Sequence, residues 1–283
     1  MTTLSGKICL VTGATGGIGK QTALRLAALG ATVVVVGRDQ ERGAAAAGDI
    51  RRRVPGARVE ALTADLASLA RVRELAGAVL TRYDRLDVLV NNAGVITMRP
   101  HLTADGLEST FAVNHLAPFL LTGLLRGRLE ASAPARVVTV ASAVHKQVRA
   151  IPWDHLAQGA PDGHGSAYAV SKLLNVLFTV ELARRLAGTG VTANCLHPGF
   201  VRTGLGHDVT GVLGAAMRVV LRTRPGPEAG AQTSVYLASS AEVAEVTGGY
   251  FVKRRRAEPS ALATDEAAAA RLWELSERLA ESG

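Results

Sequence analysis

Tyr168 and Lys172 stand four residues apart in Ser166-Ala-Tyr168-Ala-Val-Ser-Lys172. On a helix, that spacing puts both side chains on one face. A phenol titrates near pH ~10, too high to exchange protons readily at neutral pH. An ammonium beside it favours the phenolate and brings the group towards the working range for acid–base chemistry. An ordinary surface helix also carries such pairs, so the meaning of this one depends on its company in the chain. The first companion is Gly13-Ala-Thr15-Gly16-Gly17-Ile18-Gly19, directly after an apolar run. Glycines let a backbone turn tightly and approach a pyrophosphate, and the N–H groups of a following helix attract its charge. The spacing Gly13-x-x-x-Gly17-x-Gly19 differs from G-x-G-x-x-G, yet its place between a strand and a helix favours a dinucleotide.

The next strand-like run ends in Val36-Gly37-Arg38-Asp39. At this position an acid holds the ribose 2′-hydroxyl of NAD, whereas an arginine accommodates the 2′-phosphate of NADP. Arg38 therefore favours NADP(H), with Asp39 leaving NAD(H) possible.

These residues need a scaffold, and the chain supplies one. Lys7 to Thr12, Thr32 to Val36, Arg58 to Thr63, Leu86 to Asn91, Arg136 to Ala141 and Val191 to His197 read as strands. Ile18 to Leu29, Ala44 to Arg53, Leu69 to Arg82, Leu107 to Leu129 and Ala167 to Leu186 read as helices between them. Such alternation implies a single-domain α/β Rossmann fold, a doubly wound parallel sheet with helices on both faces. No linker or repeat interrupts it, so residues 1–283 form one domain. Three segments break the rhythm: a loop over 144–165, a stretch over 204–227 with a short basic apolar helix at Val209 to Leu221, and a C-terminal amphipathic helix over 264–280. The first two are expected to wall and cover an apolar substrate pocket, with Trp153, His155 and His164 as candidate contacts.

Composition narrows the partners. The formal net charge is +8, but most arginines are spread along helices. Only Arg51-Arg52-Arg53 and Lys253-Arg254-Arg255-Arg256 cluster, without the interleaved aromatics of a strand-binding groove, which argues against nucleic acid. A positive field that attracts a phosphate-bearing cofactor is the simpler account. Cys9 and Cys195 sit in apolar runs and read as small buried hydrophobes, with no disulfide framework and no metal-ligand spacing. The apolar runs are too short to span a bilayer and the start lacks a secretory pattern, so a cytoplasmic protein without an integral membrane segment is expected.

Thr12-Gly13-x-x-x-Gly17-x-Gly19, Asp65-Leu66, Asn91-Asn92-Ala93-Gly94, Asn114, Ser142, Tyr168-x-x-x-Lys172 and Pro198-Gly199 together resemble the short-chain dehydrogenase/reductase family, from Lys7 to about Thr203. Asn114-His115-Leu116, Ser171 to Phe178, His197-Pro198-Gly199 and Arg271-Leu-Trp273-Glu274 are similar to its retinol dehydrogenase-like branch over nearly the whole chain. The resemblance implies hydride transfer between a nicotinamide cofactor and a lipophilic or aromatic alcohol or carbonyl compound. It assigns Gly13, Thr15, Gly17, Ile18 and Gly19 to the phosphates, Arg38 to the 2′-phosphate, and Asp65 and Leu66 to the adenine pocket. Asn92, Ala93 and Gly94 would form a cofactor wall, and Pro198, Gly199, Val201 and Thr203 would cradle the nicotinamide end.

In the same reading Ser142 would bind the substrate oxygen and Tyr168 would exchange its proton. Lys172 would lower the Tyr168 pKa and hold the nicotinamide ribose, and Asn114 would anchor a water linking Lys172 to solvent. Asp65 as a mere cap of the helix beginning near Ser68, and Asn91 as a structural turn residue, are the plainer alternatives. A homodimer or homotetramer through Leu107–Leu129 and Ala167–Leu186 is the implied assembly. The rival functions are an NAD-dependent alcohol or steroid-type dehydrogenase and a catalytically idle, nucleotide-sensing regulator on the same fold.

Overall fold

Valine-rich runs dictate the sheet. In β1 (Ile8–Thr12) and β2 (Thr32–Gly37), alternate residues face opposite sides, and both sides are apolar. Leu10, Val34 and Val36 join one core, while Cys9, Val11, Val33 and Val35 join the other. A strand buried on both faces needs helices above and below it, and the chain provides them in alternation. The computed structural model describes residues 2–97, 101–158, 166–201 and 225–281. Thr203, His164 and most of the 204–227 segment, with Val209–Leu221, lie outside the described residues.

The sheet order is β3-β2-β1-β4-β5-β6-β7-β8, with β3 at Val59–Thr63, β4 at Val88–Asn91, β5 at Ala135–Val140 and β6 at Val191–His197. All pairings through β7 (Tyr250–Val252) are parallel, and β8 (Arg255–Arg256) turns back antiparallel. One face carries α1 (Gly17–Ala28), α2 (Gln40–Arg53) and a helix at Pro227–Ser239. The other carries α3 (Leu69–Arg82), the Ser109–Ala131 helical segment, α6 (Ala167–Arg185) and a helix at Glu266–Glu281. These last helices on each face are α7 (Pro227–Ser239) and α8 (Glu266–Glu281). The strand order reverses between β1 and β4, and ligands of doubly wound sheets bind outside the strand ends at such a switch point.

The expected architecture holds, with local differences that have physical causes. Helix α2 starts at Gln40 rather than Ala44, because the Asp39 carboxylate accepts from Arg42 N at 2.9 Å and caps it. The helix expected over Leu107–Leu129 is divided into α4 (Ser109–Phe111), a π turn (Ala112–Leu116) and α5 (Ala117–Ala131). Pro118 has no N–H, so the α-helical donor for the Asn114 carbonyl is missing. Strands β7 and β8 and helix α7 were not foreseen in the sequence. Among the described residues, no helix is long and apolar enough to cross a membrane.

Candidate active site

The glycine turn after β1 is built around close backbone approach. Gly13 (φ 64°) and Gly17 (φ 53°) occupy the left-handed region that side chains disfavour. A Cβ on Gly13 would stand 2.8 Å from the Ala93 Cα, and one on Gly19 would strike the Asn92 amide and the Gly13 carbonyl. Asn92 Nδ2 donates to the carbonyls of Thr12 (2.8 Å) and Gly13 (3.2 Å). Thr12 Oγ1 in turn accepts from the backbone N–H groups of Asn92 and Ala93, both at 3.0 Å. The β1 and β4 turns are thereby stitched into one surface.

Above that surface, α1 begins at Gly16 with no side-chain cap and no acid in its first turn. A Cβ at Gly16 or Gly17 would meet nothing within 4 Å. Uncapped N–H donors facing open space, without a competing carboxylate, fit a pyrophosphate. The end of β2 leans on this turn, since a Cβ on Gly37 would collide with the Thr15 methyl. Arg38 follows, exposed, while the Asp39 carboxylate is engaged at the start of α2. Further along the edge Leu66 is buried and shares a crevice with Thr12, Asn91, Ala93 and Ala117. Asp65 is exposed; its Oδ1 accepts from Ala67 N at 3.0 Å, and Ser68, not Asp65, is the α3 cap. Asn91 donates to Thr122 Oγ1 at 3.0 Å, a structural bond.

The acid–base candidates converge from β5, α6 and the π turn. Ser142 follows β5 and is 8% exposed. Its hydroxyl approaches Val144 N at 3.4 Å, a weak local cap, and it lies near enough to the Tyr168 phenol to pull that group's pKa down. Tyr168 and Lys172 share one face of α6, as their spacing requires, with the ammonium 5.6 Å from the phenol ring centre. Lys172 is 3% exposed and donates to the Val140 carbonyl at 2.9 Å. Burial brings its pKa down to about 8. The Tyr168 phenol departs from the sequence expectation: burial pushes it up, and the opposing pull comes from Ser142. The reason is geometric, because the ammonium is aimed at the Val140 carbonyl rather than at the phenol oxygen.

Asn114 is fully buried, with Nδ2 donating to Val95 O and Ser171 Oγ at 3.0 Å each and Oδ1 accepting from Val95 N at 2.7 Å. Ser171 Oγ donates onward to the Tyr168 carbonyl at 2.8 Å. A Cβ on Gly94 would lie 3.4 Å from both Asn114 Oδ1 and Lys172 Nζ, so these two side chains meet at that glycine. Ser171 and the Val140 carbonyl were not singled out in the sequence. Ser171 sits inside the Tyr168–Lys172 motif and was findable by its helical spacing; a backbone acceptor leaves no trace in residue types.

Pro198 and Gly199 follow β6 on the same edge, and Gly199 has φ 90°. Val201 reaches α7: a Cβ on Gly230 would be 3.0 Å from Val201 Cγ2 and 2.9 Å from Ile18 Cγ1. Trp153 does not stand free over the site; the Arg271 guanidinium of α8 stacks on it at 4.5 Å. His155 is exposed. Among the described residues, no group of His, Cys, Asp or Glu could hold a metal ion. Cys9 and Cys195 are buried, and burial pushes both thiols up.

A doubly wound sheet, a phosphate-ready helix start and a serine–tyrosine–lysine cluster on one edge define a nicotinamide-dependent oxidoreductase. A family profile described as short chain dehydrogenase matches residues 7–211. The chain belongs to the short-chain dehydrogenase/reductase family, within its retinol dehydrogenase-like branch, and acts on CH–OH groups. It is 45% identical to retinol dehydrogenase 13 of Homo sapiens over 98% of this chain and 85% of that one. Among solved structures, an uncharacterised protein of Mycobacterium paratuberculosis superposes with TM-score 0.78 and 34% identity, covering 99% of this chain and 96% of that one. A short chain dehydrogenase of Burkholderia cenocepacia in complex with NADP gives TM-score 0.70 and 30% identity, over 88% of this chain and 96% of that one.

Proposed function

We propose that this protein interconverts a carbonyl and an alcohol on a lipophilic or aromatic small molecule with NADP(H), using Tyr168 as the proton-exchanging group. The observation that carries the reading is the gathering of Ser142, Tyr168, buried Lys172 and buried Asn114 at one edge of the sheet, with the Lys172 ammonium 5.6 Å from the Tyr168 ring centre. The nicotinamide cofactor supplies or accepts the hydride. The phosphate end would rest on the Gly13–Gly19 turn, and Pro198, Gly199, Val201 and Thr203 would lie at the nicotinamide end. As the substrate oxygen gains negative charge, Ser142 Oγ–H holds it by a hydrogen bond and the Tyr168 phenol delivers the proton. In the oxidative direction Tyr168 accepts that proton instead. Lys172 offers positive charge to the developing phenolate and a donor to the ribose. Asn114 braces the floor beside Lys172, and the carbonyl that Pro118 leaves without its α-helical donor suits a water.

NADP(H) over NAD(H) is supported by exposed Arg38 directly after β2 and by Asp39, whose carboxylate caps α2 rather than standing open for a ribose diol. A homodimer or homotetramer in the cytoplasm completes the proposal, with α5, where Leu124 is 39% exposed, as the association face. The same face on α6 is partly taken by α8, whose Trp273 stacks on Phe178.

One comparison tests the core of the reading. Tyr168→Phe is expected to lower kcat by about a thousandfold or more, within the range for losing a positioned acid and its hydrogen bond. NADPH binding, followed by fluorescence titration, should stay close to that of the parent protein. Retinol, all-carbon aldehydes and aromatic ketones are the substrates to offer, the first because of the relatives' name. Retained turnover in Tyr168→Phe would remove the assignment, and lower Michaelis constants for NADH than for NADPH would remove the cofactor preference.

A further inference from the structure

Behind Ser142 stands a histidine that the catalytic assignments leave unused. His145 is fully buried in the short 3-10 turn Ala143–Gln147 that Ser142 caps. Its Nδ1 lies 2.6 Å from the Ser142 carbonyl oxygen, and Ser260 backbone N–H points at its Nε2 from 3.1 Å. These neighbours fix the tautomer. A carbonyl only accepts, so Nδ1 carries the hydrogen; a backbone N–H only donates, so Nε2 must be bare. The ring is therefore a neutral brace with two working ends. One end grips the Ser142 backbone, whose carbonyl also receives His145 N at 3.2 Å. The other grips the chain just ahead of the Ala261–Thr264 turn that leads into α8. Tyr250 of β7 stands edge-on at 5.0 Å and fixes the ring plane.

The serine needs such a brace. Apart from the neighbouring Tyr168 phenol, the hydroxyl's hydrogen bond among the described residues is a 3.4 Å approach from Val144 N, too weak to set its direction locally. The orientation of Oγ towards Tyr168 is then inherited from the backbone. We propose that His145 is a positioning residue for the reaction, its imidazole clamping the Ser142 carbonyl so that the serine hydroxyl faces Tyr168 and the substrate oxygen. The inference rests on the reading of Ser142 as the residue that binds that oxygen.

Two amide substitutions separate positioning from bulk stability. The Asn amide nitrogen lies where imidazole Nδ1 lies, so His145→Asn keeps the donor to Ser142 and drops the Ser260 contact. Gln reaches the Nε2 position, so His145→Gln keeps an acceptor for Ser260 N–H and drops the Ser142 clamp. With the full chain, NADPH and a carbonyl substrate, His145→Gln should lose kcat by about ten- to a hundredfold, the scale of a small misplacement at a reacting centre. KM and NADPH affinity should change little, and His145→Asn should recover most of the lost kcat even where its thermal midpoint is lowered. Equal kcat losses in the two variants, or losses that follow the thermal midpoint alone, would overturn the proposal. Ser142→Ala measured alongside keeps the two readings apart. An active Ser142→Ala defeats the serine assignment, whereas an inactive Ser142→Ala beside a fully active His145→Gln defeats only the role of His145.

Discussion

Lys172 shows what the site costs the fold. An ammonium that is 3% exposed has lost its hydration, and among the described residues it donates to the Val140 carbonyl. Burial lowers its pKa to about 8, whereas in the unfolded chain it titrates near ~10.4. Between those two values the unfolded chain binds more protons than the folded one, so stability rises with pH across that window. Lys172→Met removes the linkage. Melting the apo proteins from pH 7 to pH 10 should show the parent gaining stability relative to Lys172→Met as pH rises. A gap independent of pH would mean that the lysine titrates normally. Turnover in the variant should collapse at every pH, which separates the cost of the lysine from its use. At this scale Tyr168 and Lys172 were legible from their spacing, and Ser142 and Asn114 from the family resemblance; the fold gathers all four at one edge, while their roles remain the proposal. The sense of the Tyr168 shift was not, because burial and the aim of the ammonium are properties of the packed site.

At the scale of elements, the edge proposed for the cofactor depends on a helix that residue patterns hid. Helix α7 lies against α1 through Gly230, where a Cβ would stand 2.9 Å from Ile18 Cγ1 and 3.0 Å from Val201 Cγ2. Ile18 opens α1, proposed to hold the phosphates, and Val201 follows Pro198-Gly199, proposed to lie at the nicotinamide end, so one glycine sets the spacing of both. Gly230→Val should overpack this contact, costing about 1–3 kcal/mol, and should weaken NADPH binding more than it lowers kcat at saturation. Gly77→Ala, on an exposed position inside α3 with nothing within 4 Å, should instead raise stability by about 0.5–1 kcal/mol. Thermal melts and NADPH titrations of both variants check the contrast; equal affinity in Gly230→Val would sever α7 from the cofactor edge. Strands β1 to β6 were readable because Val, Ile and Leu runs buried on both faces leave a dense apolar signature. Helix α7 was announced only by Gly226 and Pro227 at its start, and its small residues dilute the periodicity. Strands β7 and β8 span three and two residues, below any pattern. Their turn places Lys253 (φ 50°) and Arg254 (φ 65°) in the left-handed region without the Gly or Asn that usually marks it. The π turn was half-written in Pro118, whose missing N–H was visible while its consequence for Asn114 was not.

Across the whole molecule, the two edges of the sheet divide stability from chemistry. The C-terminal edge leaves a helix start uncapped and buries a lysine, whereas the opposite edge is tied down by Asp87, just before β4. Its carboxylate accepts from Lys7 Nζ (2.9 Å), Ile8 N (2.8 Å) and Arg85 Nε (2.8 Å), joining the start of β1 to the start of β4. Burial pushes the Asp87 pKa up, but the hydrogen bonds from Arg85, Lys7 and Ile8 N outweigh it and leave it below the usual carboxylate value. Asp87→Asn keeps the shape but removes the charge and turns a donor towards two cations. Its partners Lys7 and Arg85 are 32% and 43% exposed, so solvent screens part of the loss. A cost of about 2 kcal/mol is expected, below the figure for a fully buried pair. The pH dependence follows from the lowered pKa: the contribution is present above the unfolded value near ~3.9 and is lost as pH falls through the folded value. Denaturant titrations should therefore find a constant gap between parent and Asp87→Asn from pH ~7 to ~5, closing below pH ~4. The length of β4 separates Asp87 from the Asn91–Gly94 turn, so kcat and KM at neutral pH and 25 °C should match the parent. A variant with intact stability would free Asp87 of its structural role, and one that loses turnover while still folded would show that the two edges are coupled through β4.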